Sequence, residues 1–432
     1  MLNSFSLRLL TLAIFWLGLL VLKLTNMLES HFLPLAIVFS VLILLGAVLE
    51  IFLGYAGDRY LLPVAETLLA IGLVLLIRVN PSLAEDQFVW AFLGLIVFYI
   101  VLFGLRDYRK LEQYQYIWGL AALVLLLATL LFGINIHGAT SWIKIGSRSF
   151  QPEELVKVVL LLFMSAYLNN NRELLRIGTI QVGRISLPDR RTLGPFAFIC
   201  LIVLALLAAQ KSLGTALVFF LLMVFVVYMV TERLFYLAMS VPAVLLMGTA
   251  GYIFFDHVKI RVATWLNPWA DSTGGGFQIA QSIFAISGGR LLGTGLGNGI
   301  GAYQIPLAET DFIFSVLAEE LGFFGAMAVI TLFLVLVLRA LATGIKAPDR
   351  FGQILAAGIG ILIGLEVLII LAGITKMLPL TGLPLPWISY GGSSLIIHFL
   401  LLGLVTNISH NSSYSLSTAR NKRVGVYEQR HT

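Results

Sequence analysis

Residues 313–340 read IFSVLAEELGFFGAMAVITLFLVLVLRA. Apart from Glu319, Glu320 and the terminal Arg339, nothing in this run is charged, and it lacks the polar face of an amphipathic surface helix. A helix rising 1.5 Å per residue needs roughly 20 such residues to cross about 30 Å of hydrocarbon. This stretch is long enough. Further apolar runs of about 17 residues or more lie at about 8–24, 33–55, 60–77, 88–105, 115–132, 153–168, 193–209, 213–230, 234–255, 352–375 and 388–408, which makes twelve candidates in all. Composition agrees. Of 432 residues, 59% are hydrophobic and 12% charged, about half the roughly 25% charge of a soluble domain. A mean hydropathy of +0.96 over the whole length excludes a soluble domain with a single anchor. The expected fold is an all-α polytopic transmembrane helix bundle of about twelve spans.

An even number of spans puts both termini on one side. Placing them in the cytoplasm assigns most of the 28 Lys and Arg there, including Arg8 and the five Arg of the 169–192 loop, against a nearly balanced outer loop at 256–312. The formal charge of +6 is therefore topology and does not point to nucleic acid. No small-residue cleavage site follows the first run, which is kept as a span. The tail from 409 is polar and expected to be disordered. The single Cys200 excludes disulfide and thiolate-metal frameworks, and no two of the six histidines form a ligand pair, so no metal site is expected. No GxxxxGK[ST] loop is present, and the glycines of 293–299 follow no strand, which removes the nucleotide readings.

Function must reside in polar groups retained despite their cost in a membrane. Gln151-Pro152-Glu153-Glu154-Leu155-Val156-Lys157 opens the sixth run. Pro and acids suit a helix start, but Lys157, one turn after Glu154, opposes the dipole and marks a retained polar site. The 256–312 loop carries Arg261 and then Trp269-Ala270-Asp271-Ser272-Thr273-Gly274, a carboxylate on a Gly-rich turn near the membrane surface. Spacing alone allows a solvated turn Asp as readily as a functional one. Glu319 and Glu320 are costly inside a span unless they face a cavity or meet a cation such as Arg290 or Lys376. Residues 376–394, with three prolines and paired Gly and Ser, suggest backbone lining a cavity.

Together, Gly138-Ala139 with Trp142, Gln151-Pro152-x-Glu154-Leu155-x-Lys157, Asn267-Pro268-Trp269-Ala270-Asp271 with Gly276-Phe277-Gln278-x-x-Gln281-Ser282, Thr310-Asp311-Phe312-Ile313-Phe314 with Glu319-Glu320-Leu321-Gly322, and Leu383-Pro384-Leu385-Pro386-Trp387-Ile388-Ser389-Tyr390-Gly391-Gly392-Ser393-Ser394 resemble the SEDS family of cell-wall polymerases, the RodA, FtsW and SpoVE group. The likeness covers roughly 60–408. It implies a ten-span glycosyltransferase core at 59–408 with the large extracellular loop 256–312, two additional N-terminal helices at 1–58, and the tail 409–432. One departure stands out: where the family usually has an acid before Leu-Gly-Thr, this chain has Gln210-Lys211-Ser212.

The resemblance implies polymerisation of lipid II at the outer face of the bacterial cytoplasmic membrane, with undecaprenyl-pyrophosphate-linked glycan as the growing strand and a class B penicillin-binding protein as partner. Displacement at an anomeric carbon needs a base and positive charge at the leaving diphosphate. Asp271 matches the family's essential loop aspartate and is the expected base. Glu154 and Lys157 match a family pair; Lys157, Lys211, Arg261 and Lys376 are candidates for the diphosphate, and Gln151, Gln278, Thr310, Asp311 and Ser393 complete the expected substrate set. A divalent cation such as Mg2+ would suit the diphosphate, yet the sequence contains no dedicated ligand set. The rival readings are a lipid-linked precursor flippase, which would use Glu319, Glu320 and Glu366 along its path, another lipid-linked glycan transferase, and a catalytically inactive scaffold.

Overall fold

A computed structural model describes residues 4–136, 139–146, 148–177, 180–182, 185–187, 190–270 and 274–431. In chain order the helices are α1 (Ser4–Leu24), α2 (Phe32–Phe52), α3 (Leu61–Val79), α4 (Pro81–Tyr99), α5 (Gln115–Phe132), α6 (Pro152–Asn170), α7 (Arg172–Ile177), α8 (Arg190–Ala209), α9 (Leu213–Thr231), α10 (Leu234–Phe254), α11 (Asp256–Leu266), α12 (Gly275–Gly288), α13 (Gly301–Gln304), α14 (Ile313–Lys346), α15 (Arg350–Ile374) and α16 (Gly392–His431). Each of the twelve apolar runs falls on one of them. Among the described residues ten helices are long and apolar enough to cross a membrane; α6, charged at its start, and α8, whose apolar part is 194–209, fall outside that set.

The all-α expectation needs one correction. Three short strands, β1 (Ile134–Ile136), β2 (Ala139–Ile145) and β3 (Arg148–Phe150), form an antiparallel sheet with Ile134 opposite Trp142 and Ile143 opposite Phe150. Ile at 134, 136, 143 and 145, with Trp142 and Phe150, supplies the β-branched and aromatic residues that such a ribbon favours. A hairpin, β4 (Ile180–Val182) with β5 (Ile185–Leu187), joins α7 to α8. The 409–432 segment, expected to be disordered, is helical over its described part because α16 continues to His431. It contains no Pro, and its Arg, Lys, Glu and Gln are helix formers.

The apolar windows of α3, α16 and α15 are 89%, 83% and 72% buried, whereas that of α10 is 6% buried. The first three therefore form the centre of the bundle and α10 its periphery. A helix apolar on all sides can do either, and packing decides which. At α14, Gly322 breaks the helix at φ 69°, ψ −170°, a region open to Gly alone. The 290–295 segment lies across the break, Phe323 N donating to Arg290 O (2.9 Å) and Thr294 N to Glu319 O (2.9 Å).

Arg8, counted above among the cytoplasmic loop cations, is instead fully buried. Its guanidinium donates to both oxygens of Glu50 on α2 (3.0 and 2.7 Å) and to Glu66 on α3 (3.0 Å). Two in-span acids supplied the reason: a buried carboxylate draws the nearest cation into the bundle.

Candidate functional site

The site is built from the start of α6. Pro152 at its first position presets the backbone, and Gln151 N donates to Ser393 Oγ (3.1 Å), tying this end to α16. Glu153, Glu154 and Lys157 are all buried. Lys157 Nζ lies 2.8 Å from Glu154 Oε2 and 2.5 Å from Glu366 Oε1 on α15. The other oxygen of Glu366 is 2.8 Å from His398 Nε2 on α16, and His398 Nδ1 is 2.7 Å from the Ser394 carbonyl. The ring of His398 bridges the Ser394 carbonyl and Glu366. Lys157, Glu154, Glu366 and His398 thus form a closed chain across three helices. Beside it, Ser212 Oγ donates to Glu153 Oε2 (2.6 Å) and is 2.9 Å from Thr215 Oγ1.

A second group of residues gathers on the 256–312 segment. Arg261 of α11 donates to Thr381 O (3.2 Å), and Trp265 donates its indole N–H to Lys376 O (3.1 Å). A Cβ at Gly382 would stand 3.4 Å from Asp311 Oδ2 and 3.5 Å from Arg261 Nη2, so both side chains border that turn. Burial pulls the Arg261 guanidinium below its usual value, and the charge of Asp311 opposes the shift. Burial, with Arg261 and Lys211 nearby, also lowers the pKa of His257, whose Nε2 is enclosed without a hydrogen-bond partner. The α8–α9 turn, 210–212, joins the two groups. Gln210 O accepts from Thr140 N (3.0 Å), Lys211 stands exposed at φ 63°, and a Cβ at Gly214 would be 2.8 Å from Thr381 O.

Most residues expected from sequence therefore converge on one end of the bundle: Gln151, Glu154, Lys157 and Ser393 in the first group, Arg261, Asp311 and Lys376 in the second, with Lys211 between. Thr310 is fixed through its carbonyl, which accepts from Ser389 Oγ (2.5 Å), and Gln278 is half-buried on α12. Asp271 lies outside the described residues. Lys157 departs from its expected part. At 3% exposure and held between two carboxylates, its ammonium supports the network instead of offering itself to a ligand.

The 376–394 segment, expected to line a cavity, is largely packed: Leu385, Trp387 and Ile388 are buried, and Gln87 of α4 ties down Ser389 O (3.2 Å). Glu319 and Glu320 are structural, although their partner is neither Arg290 nor Lys376. Glu319 accepts from Ile300 N (3.1 Å) and Gly301 N (2.8 Å), Glu320 from Gly297 N (3.0 Å), and Arg78 approaches Glu320 at 3.2 Å. That use removes the main support for a charged transport path through them.

Sequence reasoning gave no site role to His398, Glu153 or Ser212, and considered Glu366 only as an in-span charge on a flippase path. One signal was available: a cation entering one span and an acid deep in another are each costly alone, so Lys157 and Glu366 were natural partners. Among the described residues no group of three or more His, Cys, Asp or Glu forms a metal ligand set.

The fold and site define a multi-pass helical membrane protein whose candidate site residues gather at one end. The FTSW_RODA_SPOVE family model, described as "Cell cycle protein", matches residues 76–414, and the chain belongs to that family. It is 37% identical over 380 residues to the peptidoglycan glycosyltransferase RodA of Mycobacterium tuberculosis, covering 84% of this chain and 81% of the relative. It is 34% identical over 368 residues to the probable peptidoglycan glycosyltransferase FtsW of Geobacter sulfurreducens, covering 82% and 95%. Among solved structures, one from work described as "Structural coordination of polymerization and crosslinking by a peptidoglycan synthase complex" is 30% identical, with TM-score 0.69, over 83% of this chain and 99% of that one. The rod shape determining protein RodA of Thermus thermophilus is 28% identical with TM-score 0.59, over 83% and 98%.

Proposed function

We propose that this chain, a glycosyltransferase of peptidoglycan synthesis, polymerises lipid II at the outer face of the bacterial cytoplasmic membrane. In this reading α6 and α8 complete twelve spans, both termini are cytoplasmic, 1–58 is an addition to the 59–408 core, and 409–432 is a cytoplasmic tail. The observation that carries the proposal is the gathering of Lys211, Arg261 and Asp311 beside the Glu153–Ser212 and Lys157–Glu366–His398 groups at a single end.

The acceptor's 4-hydroxyl attacks C1 of the growing strand. The new O–C1 bond forms as the bond from C1 to diphosphate oxygen breaks, the hydroxyl proton passes to Asp271, and undecaprenyl pyrophosphate leaves. Lys211, Arg261 and Lys376 are the cations available to the diphosphate. Asp311 holds Arg261 in place, Gln151, Ser393 and Thr310 fix the surrounding backbone, and Gln278 is the proposed contact for sugar hydroxyls. Lys157 acts through Glu154 and Glu366 by holding α6 against α15 and α16. The leaving group carries its own energy, so ATP is not needed. A class B penicillin-binding protein is the proposed partner for crosslinking the product.

The test is lipid II polymerisation by the purified protein with that partner, read as strand length on a gel. Asp271→Asn is expected to lose about 10²–10⁴-fold in rate, the usual weight of a general base. Wild-type turnover by this variant would remove Asp271 from its role, and lipid II translocation without polymerisation would favour a flippase.

A further inference from the structure

Ser212 occupies the N-cap of α9, where a Ser hydroxyl ordinarily accepts from the helix's own first N–H groups. Here it makes no such bond, and its hydroxyl donates instead to Glu153 Oε2 (2.6 Å) on α6. The first turn of α9 also holds no acid, so the positive end of that helix has no counter-charge of its own. Glu153 is fully buried beside that end, reached through Ser212 and Thr215, and its second oxygen, Oε1, has no hydrogen-bond partner. Leaving such an atom buried and unmatched is costly. A neutral side chain would avoid the cost if packing were the only purpose. Position 212 is also where this sequence lacks the acid of the family pattern.

We propose that Glu153 is a positioning residue that supplies, from α6, the carboxylate missing at the start of α9, and that it thereby fixes the α8–α9 turn beside the Thr381 carbonyl that Arg261 binds, with Lys211 at the turn's exposed corner. This rests on the function proposed above. Lys211 is the exposed residue of that turn. Its left-handed backbone (φ 63°) is closed by Lys211 N to Ala208 O (3.0 Å) and Ser212 N to Leu207 O (3.0 Å), so its direction depends on how the turn is anchored.

The experiment is a double-mutant cycle in the lipid II polymerisation assay, with thermal melting of each variant in detergent. Glu153→Gln keeps shape and removes the carboxylate; it is expected to lower kcat/KM about tenfold, within the upper range of a charge's weight at a helix end. In a Lys211→Ala background the same change is expected to cost nothing further. The exchange E153S/S212D, which returns the carboxylate to α9, is expected to recover most of the activity lost in E153S. Should E153Q fail to fold, S212A, which cuts the link and keeps the charge, replaces it in the same cycle. Undiminished activity in E153Q, equal losses with and without Lys211, or an exchange no better than E153S would each overturn the proposal. An inactive wild type would overturn the function reading instead, and the cycle would then be read from lipid II binding.

Discussion

At the residue scale, the deciding quantity is the cost of an uncompensated charge in a dry interior. Lys157 is satisfied by two carboxylates at 2.8 and 2.5 Å, and removing it takes the ammonium from Glu154 and leaves Glu366 with His398 alone. Lys157→Met is therefore expected to destabilise the fold by about 3–5 kcal/mol, as for other broken buried pairs, read as a lowered melting temperature. A melt equal to wild type would show the chain to be unimportant for stability. His257 offers a test by pH. Its value in the folded protein lies below the ordinary 6.5, with burial and two neighbouring cations as causes. The unfolded chain therefore takes up the proton first, and the stability present above that range is lost on acidification. Wild type is expected to lose more stability between pH 8 and pH 5 than His257→Gln. A bound diphosphate would reverse the preference and favour the protonated ring. Parallel melts of the two proteins would refute the assignment.

At the element scale, the break in α14 matters most. Gly322 takes a conformation that residues with a Cβ avoid, and an added Cβ would fall 2.2 Å from Gly293 N and 2.6 Å from Leu292 C. Both contacts are backbone, which cannot yield by rotating. Gly322→Ala is expected to cost at least about 1–3 kcal/mol from overpacking and to free the 290–301 segment, measurable as faster amide exchange there. Unchanged exchange would mean the break tolerates a side chain. The same break explains Glu319 and Glu320, which end the first part of α14 and receive the loop's N–H groups. Read from sequence as two acids in one continuous span, they looked like a site; in a broken helix they hold a loop.

For the whole molecule, the question is how the two N-terminal helices, which lie before the family match at 76–414, attach to the rest. Arg8 joins α1 to α2 and α3 through Glu50 and Glu66. At the end away from the site, Ala56 N donates to His410 Nδ1 (3.1 Å), Asp58 N to Ser409 Oγ (2.8 Å), and Arg339 Nε to Asp58 (2.7 Å). Arg8→Met leaves two carboxylates without a cation and is expected to cost about 3–5 kcal/mol. It should loosen α1 and α2 before the core melts, exposing the 53–60 link to protease. Wild-type resistance of that link would place the attachment in the second set of contacts alone.

Sequence alone determined that this is a polytopic helical membrane protein, because spans must be long and apolar to satisfy the backbone in lipid, and each expected run coincides with a helix. The motif order also sufficed for the family, and the candidate site was legible as segments: α6's start, the 256–312 loop and the 376–394 turn. Tertiary structure decided which charges meet. Arg8 with Glu50 and Glu66, Arg78 with Glu320, Lys157 with Glu366 and His398, and Glu153 with Ser212 are pairs far apart in the chain. A hydrophobic pattern registers the cost of each buried charge but not the helix neighbour that offsets it. That neighbour is set by how the helices pack.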